Sequence, residues 1–341
     1  MAHPTLHGIV PPIITPMNAD ESINIPELRN QIERQIAGGV HGIFCFGTNG
    51  EGYILSMKEK EEILEATIDQ VAGRVPVYAG TGCISTADTV YMSRRAEEMG
   101  ADVLSIITPS FALASQEELY RHYVEVAKHV NIPIVLYNIP PRTGNKLLPE
   151  TVARLAKDVD VICGAKDSSG DIENLKAFIR VGQELGRPFS VFAGNDGAIL
   201  TGLREGGAGG IAGRANLYPK TVAAIYDSFV AGDIARAEEC QQRISTLQRV
   251  FKFGNPQHDH QKGRQPARLP GRRVPPPVQL PVRRGRRRAE SGAEGKRRAR
   301  SLLRRKCHEY SQKADPRHHD GRPLRQRPGD HGPGARGRNG L

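Results

Sequence analysis

Three short segments of the chain carry polar residues of types that could form a site for covalent catalysis. The first, Phe46–Gly52 (FGTNGEG), places a hydroxyl at Thr48 and an amide at Asn49 among three glycines. Glycine lets the backbone turn sharply, so that N–H groups near Gly47 could face an anion. Taken alone, the segment favours an ordinary glycine-rich turn, because it matches neither a phosphate loop nor a dinucleotide fingerprint.

A second segment, Val135–Gly144 (VLYNIPPRTG), combines a phenol with a guanidinium. Tyr137 is predicted to end a strand, where a phenol can pass a proton to a reacting centre. Two prolines stiffen the loop that carries Arg142, and a guanidinium can hold a carboxylate with two parallel hydrogen bonds. The alternative is structural, with Tyr137 closing the core and Arg142 a solvated loop charge.

The third segment, Val161–Asp171 (VICGAKDSSGD), places a lysine after a run of small and apolar residues. An ammonium that is desolvated in this way loses its proton more readily, and the neutral amine can attack a carbonyl. The alternative is an ion pair between Lys166 and Asp167. We favour the nucleophile, because successive strand residues point to opposite faces and the two side chains should diverge.

Short apolar runs alternate with amphipathic segments through the first 225 residues and predict a parallel sheet covered by helices. The predicted strands are Ile9–Ile14, Gly42–Phe46, Pro76–Ala79, Val103–Ile107, Ile134–Tyr137, Val161–Ala165, Ser190–Ala193 and Gly209–Ile211. Eight strands separated by helices favour a closed (β/α)8 TIM barrel over an open doubly wound sheet. In such a barrel the loops after the strands hold the active site, so the three polar segments should meet at one end.

Two capping-box patterns, which begin at Ser56 and Ser115, mark the starts of two predicted helices. Each places a hydroxyl at the first cap position and a glutamate three residues later, so a helix is predicted to follow directly. A further helix is predicted over Ile234–Phe251, packed outside the barrel.

The motifs GTNGE, YNIPPRTG and GAKDSSGD, in this order and spacing, resemble the dihydrodipicolinate synthase / N-acetylneuraminate lyase superfamily over Gly8–Pro256. The resemblance implies a class I lyase in which Lys166 forms a Schiff base with a 2-oxo acid such as pyruvate. Tyr137, helped by the Thr48 hydroxyl, would relay protons, and the turn at Gly47 would hold the pyruvate carboxylate. The resemblance implies no cofactor and no metal.

Residues of the loops point to more than one possible second substrate, the compound that reacts with the pyruvate imine. Arg142 matches the synthase form of its loop, in which it would bind the carboxylate of aspartate semialdehyde. Asn49 stands where a second hydroxyl is usual, and Ser110 and Phe111 replace a tyrosine pair that completes the synthase proton relay. We expect a 4-hydroxy-tetrahydrodipicolinate synthase-like condensation, with a 2-keto-3-deoxy sugar acid aldolase or dehydratase, or an N-acetylneuraminate lyase-like enzyme, as the alternative. Asn49 and Ile211, the latter at the end of the eighth predicted strand, complete the predicted substrate-binding residues.

The composition changes abruptly after Phe253. Residues 254–341 carry 24 Lys and Arg against 7 Asp and Glu, no Phe or Ile, and a single tyrosine, Tyr310. The whole-chain net charge of +11 therefore divides into +17 for this tail and −6 for the rest. Such a segment cannot bury enough apolar surface to offset its ordering entropy and is predicted to be disordered. The predicted domains are a catalytic barrel (1–225), the start of a C-terminal helical region (226–253) and the tail.

Three origins of the tail are open from the sequence: a frameshift near Pro256, a natural disordered linker and a basic arm for nucleic acid. Rereading the permitted codons one nucleotide later gives a continuation with helical periodicity, so we favour the frameshift. A nucleic-acid arm is disfavoured, because the tail shows no aromatic interleaving, no repeat and no zinc spacing.

The remaining features predict a cytoplasmic protein without a membrane segment. The five cysteines include no C-x-x-C pair, and Cys45 and Cys163 lie in apolar runs typical of buried thiols in a reducing compartment. The N-terminus lacks the basic and apolar regions of a signal peptide, and no apolar run approaches the ~18 residues that span a bilayer. A homo-oligomer is expected if the C-terminal helices are intact. An inactive, truncated homologue is the non-enzyme alternative.

Overall fold

The structure, a computed structural model, describes residues 5–247, with the side chain of Leu247 excepted. Within this range eight strands run parallel to one another: β1 (Gly8–Ile9), β2 (Ile43–Cys45), β3 (Val77–Ala79), β4 (Val103–Ile107), β5 (Ile134–Asn138), β6 (Ile162–Asp167), β7 (Ser190–Ala193) and β8 (Gly209–Gly210). Each strand from β2 to β7 pairs with its successor, and β8 also pairs with β1. The predicted tail and residues 248–251 of the predicted last helix lie outside the described residues.

The barrel is closed between its first two strands by backbone hydrogen bonds just beyond β1. The Phe44 N–H donates to the Pro11 carbonyl at 3.0 Å, and the Ile13 N–H donates to the Phe44 carbonyl at 2.9 Å. These bonds form a parallel bridge between Pro12 and Phe44. The eight strands therefore form the predicted (β/α)8 barrel.

Helices separate the strands and cover the outer surface of the barrel: α1 (Ile25–Ala37), α2 (Met57–Val71), α3 (Thr86–Met99), α4 (Gln116–Ala127), α5 (Pro140–Thr143), α6 (Pro149–Asp158), α7 (Ile172–Glu184), α8 (Ile199–Arg204), α9 (Pro219–Val230) and α10 (Ile234–Leu247). The capping boxes predicted at Ser56 and Ser115 are confirmed at the starts of α2 and α4. In each, the serine hydroxyl accepts a backbone N–H while the glutamate accepts the N–H of the serine, which satisfies two of the unpaired donors at a helix start.

Side chains of the strands alternate between two apolar clusters. The inner cluster fills the barrel and consists of Leu6, Val10, Phe44, Tyr78, Val103, Val135, Phe192 and Ile211. The larger cluster lies between strands and helices; on β5 it includes Ile134 and Leu136, the neighbours of Val135. Because alternate strand residues share a face, Tyr137 follows Val135 toward the barrel interior.

Strand bounds differ from the prediction most at the first and sixth strands, and by a single residue at an end of several others. The first strand, predicted as Ile9–Ile14, ends at Ile9, because Pro11 and Pro12 have no N–H to continue the ladder. The sixth strand extends beyond its predicted end to Asp167, so that Lys166 lies within the strand. No helix in the described part of the chain is both long and apolar enough to span a membrane.

Candidate active site

Lys166 and Asp167 point to opposite sides of β6, as their alternation predicts. The Asp167 carboxylate accepts hydrogen bonds from the Asn138 amide at 2.7 Å, the Asn174 amide at 3.0 Å and the Ser169 hydroxyl at 2.7 Å. Burial raises the pKa of Asp167 above its ordinary value, although these hydrogen bonds oppose the change. The partners of Asp167 are therefore neutral groups, and the carboxylate does not form an ion pair with Lys166.

Lys166 lies in an aromatic setting inside the barrel and is only 3% exposed. Tyr137 on β5 and Lys166 on β6 are paired in register, which places their side chains next to each other. The Lys166 Nζ lies 3.8 Å from the centre of the Tyr137 ring and 5.4 Å from the centre of the Phe44 ring. An amine held among ring faces is shielded from water, as a nucleophile that attacks a carbonyl requires.

Tyr137 connects this lysine to the glycine-rich turn after β2. Its hydroxyl lies 3.3 Å from the Thr48 Oγ1, within hydrogen-bond distance. Burial acts to raise the pKa of Tyr137, but the charge of Lys166 and the hydrogen bonds from Thr48 and Ser168 outweigh it, so the pKa falls below its ordinary value. A phenol with a lowered pKa gives up its proton more easily at neutral pH, which suits a group that passes protons on.

The glycine-rich turn needs glycine at Gly47 and Gly52 for reasons of space. A Cβ on Gly47 would lie 3.0 Å from ring atoms of Phe44, and one on Gly52 would lie 1.9 Å from the Phe46 carbonyl oxygen. The chain leaves β2 at Phe46 with a positive φ of 40° and forms a short 3₁₀ turn at Thr48–Gly50. The backbone of the turn is thereby brought against the ring that also faces Lys166.

A cavity of about 450 Å³ opens at the carboxyl ends of the strands, the end at which barrels hold their active sites. Of the predicted site residues, Gly47, Thr48, Tyr137 and Arg142 line it. Asn49 and Ile211 do not: Asn49 is half-buried in the 3₁₀ turn, and Ile211 lies in the apolar cluster inside the barrel. Lys166 is not among the residues that line the cavity; its Nζ lies behind the lining residue Tyr137, 3.8 Å from the centre of that ring.

Three residues near the site were not identified from the sequence. Gly194, after β7, leaves room for the lysine: a Cβ there would lie 2.0 Å from the Ser168 Oγ and 3.0 Å from the Lys166 Cε. Ser105 on β4 lines the cavity, and its buried Oγ has no hydrogen-bond partner within the described part of the chain. Lys60 on α2 also lines the cavity and is 5% exposed. The alternation along β4 could have indicated Ser105, since it shares a face with Val103.

Comparison with known proteins places this (β/α)8 barrel among enzymes of the lyase class. The chain belongs to the dihydrodipicolinate synthetase family, whose model matches residues 5–258. A 4-hydroxy-tetrahydrodipicolinate synthase from Thermoanaerobacter is 37% identical over 248 residues, which cover 73% of this chain and 82% of the relative. The synthase of the same name from Methanopyrus kandleri is 38% identical over 253 residues, covering 74% and 83%.

Solved structures of the same family agree with this assignment. The chloride-inhibited dihydrodipicolinate synthase from Acinetobacter baumannii, complexed with pyruvate, has a TM-score of 0.70 at 32% identity and covers 74% of this chain and 85% of its own. YagE, a prophage protein of the family from E. coli K12, also in complex with pyruvate, has a TM-score of 0.76 at 28% identity, covering 88% and 98%. The predicted superfamily and fold are therefore confirmed.

Proposed function

We propose that the chain forms a Schiff base between Lys166 and pyruvate and condenses the resulting enamine with aspartate semialdehyde. The observation that carries the proposal is the position of the Lys166 Nζ, buried 3.8 Å from the Tyr137 ring centre beside the cavity. Attack by the amine on the pyruvate carbonyl and loss of water give the imine. Its protonated nitrogen accepts electron density when a proton leaves the pyruvate methyl group, which produces the enamine nucleophile.

Tyr137 is the group proposed to carry protons in these steps. Its hydroxyl reaches the Thr48 Oγ1 at 3.3 Å, so a proton can pass from the phenol toward the turn after β2. Backbone N–H groups near Gly47 are proposed to hold the pyruvate carboxylate, with Asn49 as a further binding group. Arg142 is proposed to bind the carboxylate of the aldehyde.

The choice of aspartate semialdehyde as the aldehyde substrate rests on the names of the relatives and on the charge of the residues that line the cavity. Relatives that are 37–38% identical carry the name 4-hydroxy-tetrahydrodipicolinate synthase. The cavity is lined by Arg142 and by no carboxylate side chain from the described residues, which favours an aldehyde that carries its own negative charge. With this activity we further propose a cytoplasmic location and a role in lysine biosynthesis.

The second candidate is an aldolase or dehydratase for a 2-keto-3-deoxy acid, and the position of Phe111 favours it. This residue stands where the synthase relay has a tyrosine; it is 96% exposed and adopts a positive φ of 80°. A phenyl ring cannot transfer a proton, so the Tyr137–Thr48 pair would serve without a second phenol from this loop. A retro-aldol reaction on a single bound acid uses the same imine.

Borohydride reduction in the presence of pyruvate tests the proposed imine. The expected result is a gain in mass equal to that of a reduced pyruvate adduct, located by peptide mapping on Lys166. The Lys166→Met variant is the control and should gain nothing. A soluble, folded protein that forms no adduct, or one that forms it on another lysine, would refute the imine.

The acceptor is tested separately, after the imine is shown. The initial rate of pyruvate consumption with aspartate semialdehyde is compared with the rate of pyruvate release from 2-keto-3-deoxy acids. The synthase assignment predicts the higher kcat/KM for the semialdehyde.

We also propose that the chain forms a homo-oligomer. Light scattering on the full chain would test this proposal. A relative in the family is a monomeric variant.

A further inference from the structure

Ser105 presents to the cavity a hydroxyl that the described part of the protein does not use. The residue lies on β4, lines the cavity and is only 1% exposed. Its buried Oγ has no hydrogen-bond partner among residues 5–247. Because a buried hydroxyl without a partner costs stability, this side chain destabilises the fold unless a bound molecule satisfies it.

The other buried hydroxyls that line the cavity are engaged within the protein. The Tyr137 hydroxyl lies 3.3 Å from the Thr48 Oγ1, and the Thr108 Oγ1 lies 2.8 Å from the Thr143 Oγ1. Among the described lining residues, Ser105 therefore supplies the buried hydroxyl that is available to a bound molecule.

The strand register places Ser105 near the amine of Lys166. Strands β3 and β4 are paired, and continuing their register by one residue beyond β3 brings Gly80 beside Ser105. Gly80 lies against the Phe44 ring, since a Cβ there would be 3.2 Å from a ring carbon. The Lys166 Nζ faces the same ring at 5.4 Å from its centre. The hydroxyl and the amine therefore approach the cavity beside one aromatic ring.

The carbonyl oxygen of pyruvate is the polar atom that this hydroxyl can bind. In the proposed function the carboxylate lies at the turn near Gly47, and the methyl group must face the second substrate. The carbonyl oxygen is bonded to the carbon that the Lys166 Nζ attacks, so it lies next to Nζ during the attack. Phe44 and Ile107, which line the cavity with Ser105, are apolar and cannot form a hydrogen bond with it.

We propose that the Ser105 hydroxyl binds this oxygen while the imine forms and while it is hydrolysed. This inference rests on the proposed function and deepens it. As Nζ attacks, the C–N bond forms, the π electrons of the carbonyl move to oxygen, and a proton passes from nitrogen to that oxygen. The C–O bond of this carbinolamine then breaks as its hydroxyl takes up a second proton, drawn from solvent through Tyr137, and water leaves the protonated imine. The Ser105 hydroxyl donates a hydrogen bond to the oxygen as negative charge develops on it.

Exchange of the carbonyl oxygen with water measures these steps directly. Pyruvate labelled with ¹⁸O at the carbonyl loses its label when an imine forms and is hydrolysed, and mass spectrometry follows the loss. Lys166→Met supplies the rate of spontaneous exchange, which is subtracted. Ser105→Ala should slow the remaining exchange by about tenfold or more, since it removes a hydrogen bond to a charged oxygen. Ser105→Cys keeps the shape of the side chain but donates only weakly and should also be slow, whereas Ser105→Thr should retain most of the rate.

A change in rate without a change in affinity distinguishes Ser105 from a residue that only supports the site. The oxygen leaves as water, so the hydroxyl contacts the transition states of imine formation and not the imine itself. The pyruvate concentration that gives half of the maximal borohydride-trapped adduct should therefore stay within about twofold in Ser105→Ala. A higher concentration together with an unchanged exchange rate would assign Ser105 to the binding of pyruvate and would overturn the proposal.

Ser190 on β7 provides a matched control, because it is also buried but its hydroxyl accepts the Leu6 N–H at 3.1 Å. Ser190→Ala should lower the thermal midpoint, since that N–H loses its acceptor, and should leave the exchange unchanged. Ser105→Ala should not lower the thermal midpoint, since no partner loses a hydrogen bond. Equal exchange rates in wild type and Ser105→Ala, with the adduct formed in both, would overturn the role of Ser105 alone. A folded wild type that forms no adduct would instead refute the imine and this inference with it.

Discussion

At the amino-terminal end of the barrel, His41 is held on both sides of its ring. The Ile9 N–H donates to the His41 Nδ1 at 3.1 Å, and the His41 Nε2 lies 3.0 Å from the Asp227 carboxylate on α9. At the carboxyl end, Lys166 faces aromatic rings, and Lys60 faces the cavity without an ion-pair partner from the described residues. Both ends bury polar groups, but the carboxyl end also leaves the buried Ser105 Oγ, which lines the cavity, without a hydrogen-bond partner from the described residues.

This difference separates polar groups that stabilise the fold from those available for a ligand. A buried group that is fully paired contributes to stability, and its loss leaves its partner unsatisfied. A buried polar group without a partner reduces stability, and at a cavity it is available to a bound ligand. Substitutions at the two ends should therefore change different quantities: activity at the carboxyl end and stability at the amino-terminal end.

The largest effect on activity is expected for Lys166→Met. Without the amine no imine can form, so kcat/KM should fall by at least about a thousandfold. The free energy of unfolding should change little, because an apolar chain of similar length fills the same space. Activity assays and chemical denaturation check the two parts. Residual activity above one part in about a hundred would show that another group forms the nucleophile.

A smaller loss of activity is expected when the proton relay is changed. Tyr137→Phe should lower kcat/KM by about a hundredfold or more, the usual contribution of a positioned acid or base. Activity that needs the protonated phenol declines as the pH rises through the pKa of Tyr137, which lies below its ordinary value.

Thr48→Val sharpens this test. The hydrogen bond from Thr48 helps to lower the pKa of Tyr137, so its loss should raise that pKa and move the alkaline decline of kcat/KM to higher pH. Tyr137→Phe should lack this decline altogether. A decline at the same pH in wild type and Thr48→Val would contradict the assigned role of the pair.

The strand alternation was sufficient to predict the central part of the site. It correctly separated Lys166 from Asp167, and the register of β5 with β6 then placed Tyr137 beside the lysine. The capping-box patterns correctly located the starts of two helices, because those interactions are local in sequence.

Lys60 could not be recognised in the same way. It lies in the segment MKEKEE, which is typical of a solvated helix surface, and its burial depends on distant residues. The loop at Gly82–Ile84 after β3 lines the same cavity, and no spacing within α2 indicates that contact. Gly194 was missed for a related reason: the atoms that require a glycine there belong to Ser168 and Lys166, more than twenty residues earlier in the chain.

The smallest effect on activity, but a clear effect on stability, is expected at His41. Burial lowers the pKa of this histidine, and the nearby charge of His7 acts in the same direction, whereas Asp227 opposes the change. The folded protein therefore resists protonation of His41, while the unfolded chain takes up the proton near the ordinary pKa of 6.5. The stability that the neutral ring contributes is present above that pH and is lost as the pH falls toward the lowered pKa of the folded state.

Two variants isolate this contribution. His41→Ala should lower the free energy of unfolding by about 1–3 kcal/mol, because the Ile9 N–H loses its acceptor. His41→Asn can keep an acceptor at the position of Nδ1 but cannot titrate, so its stability should depend less steeply on pH between about 5 and 7. Urea unfolding of the three proteins across this range measures both effects. A wild-type curve no steeper than that of His41→Asn would show that His41 is not held neutral by the fold, and the contrast between the two ends of the barrel would then fail at its amino-terminal end.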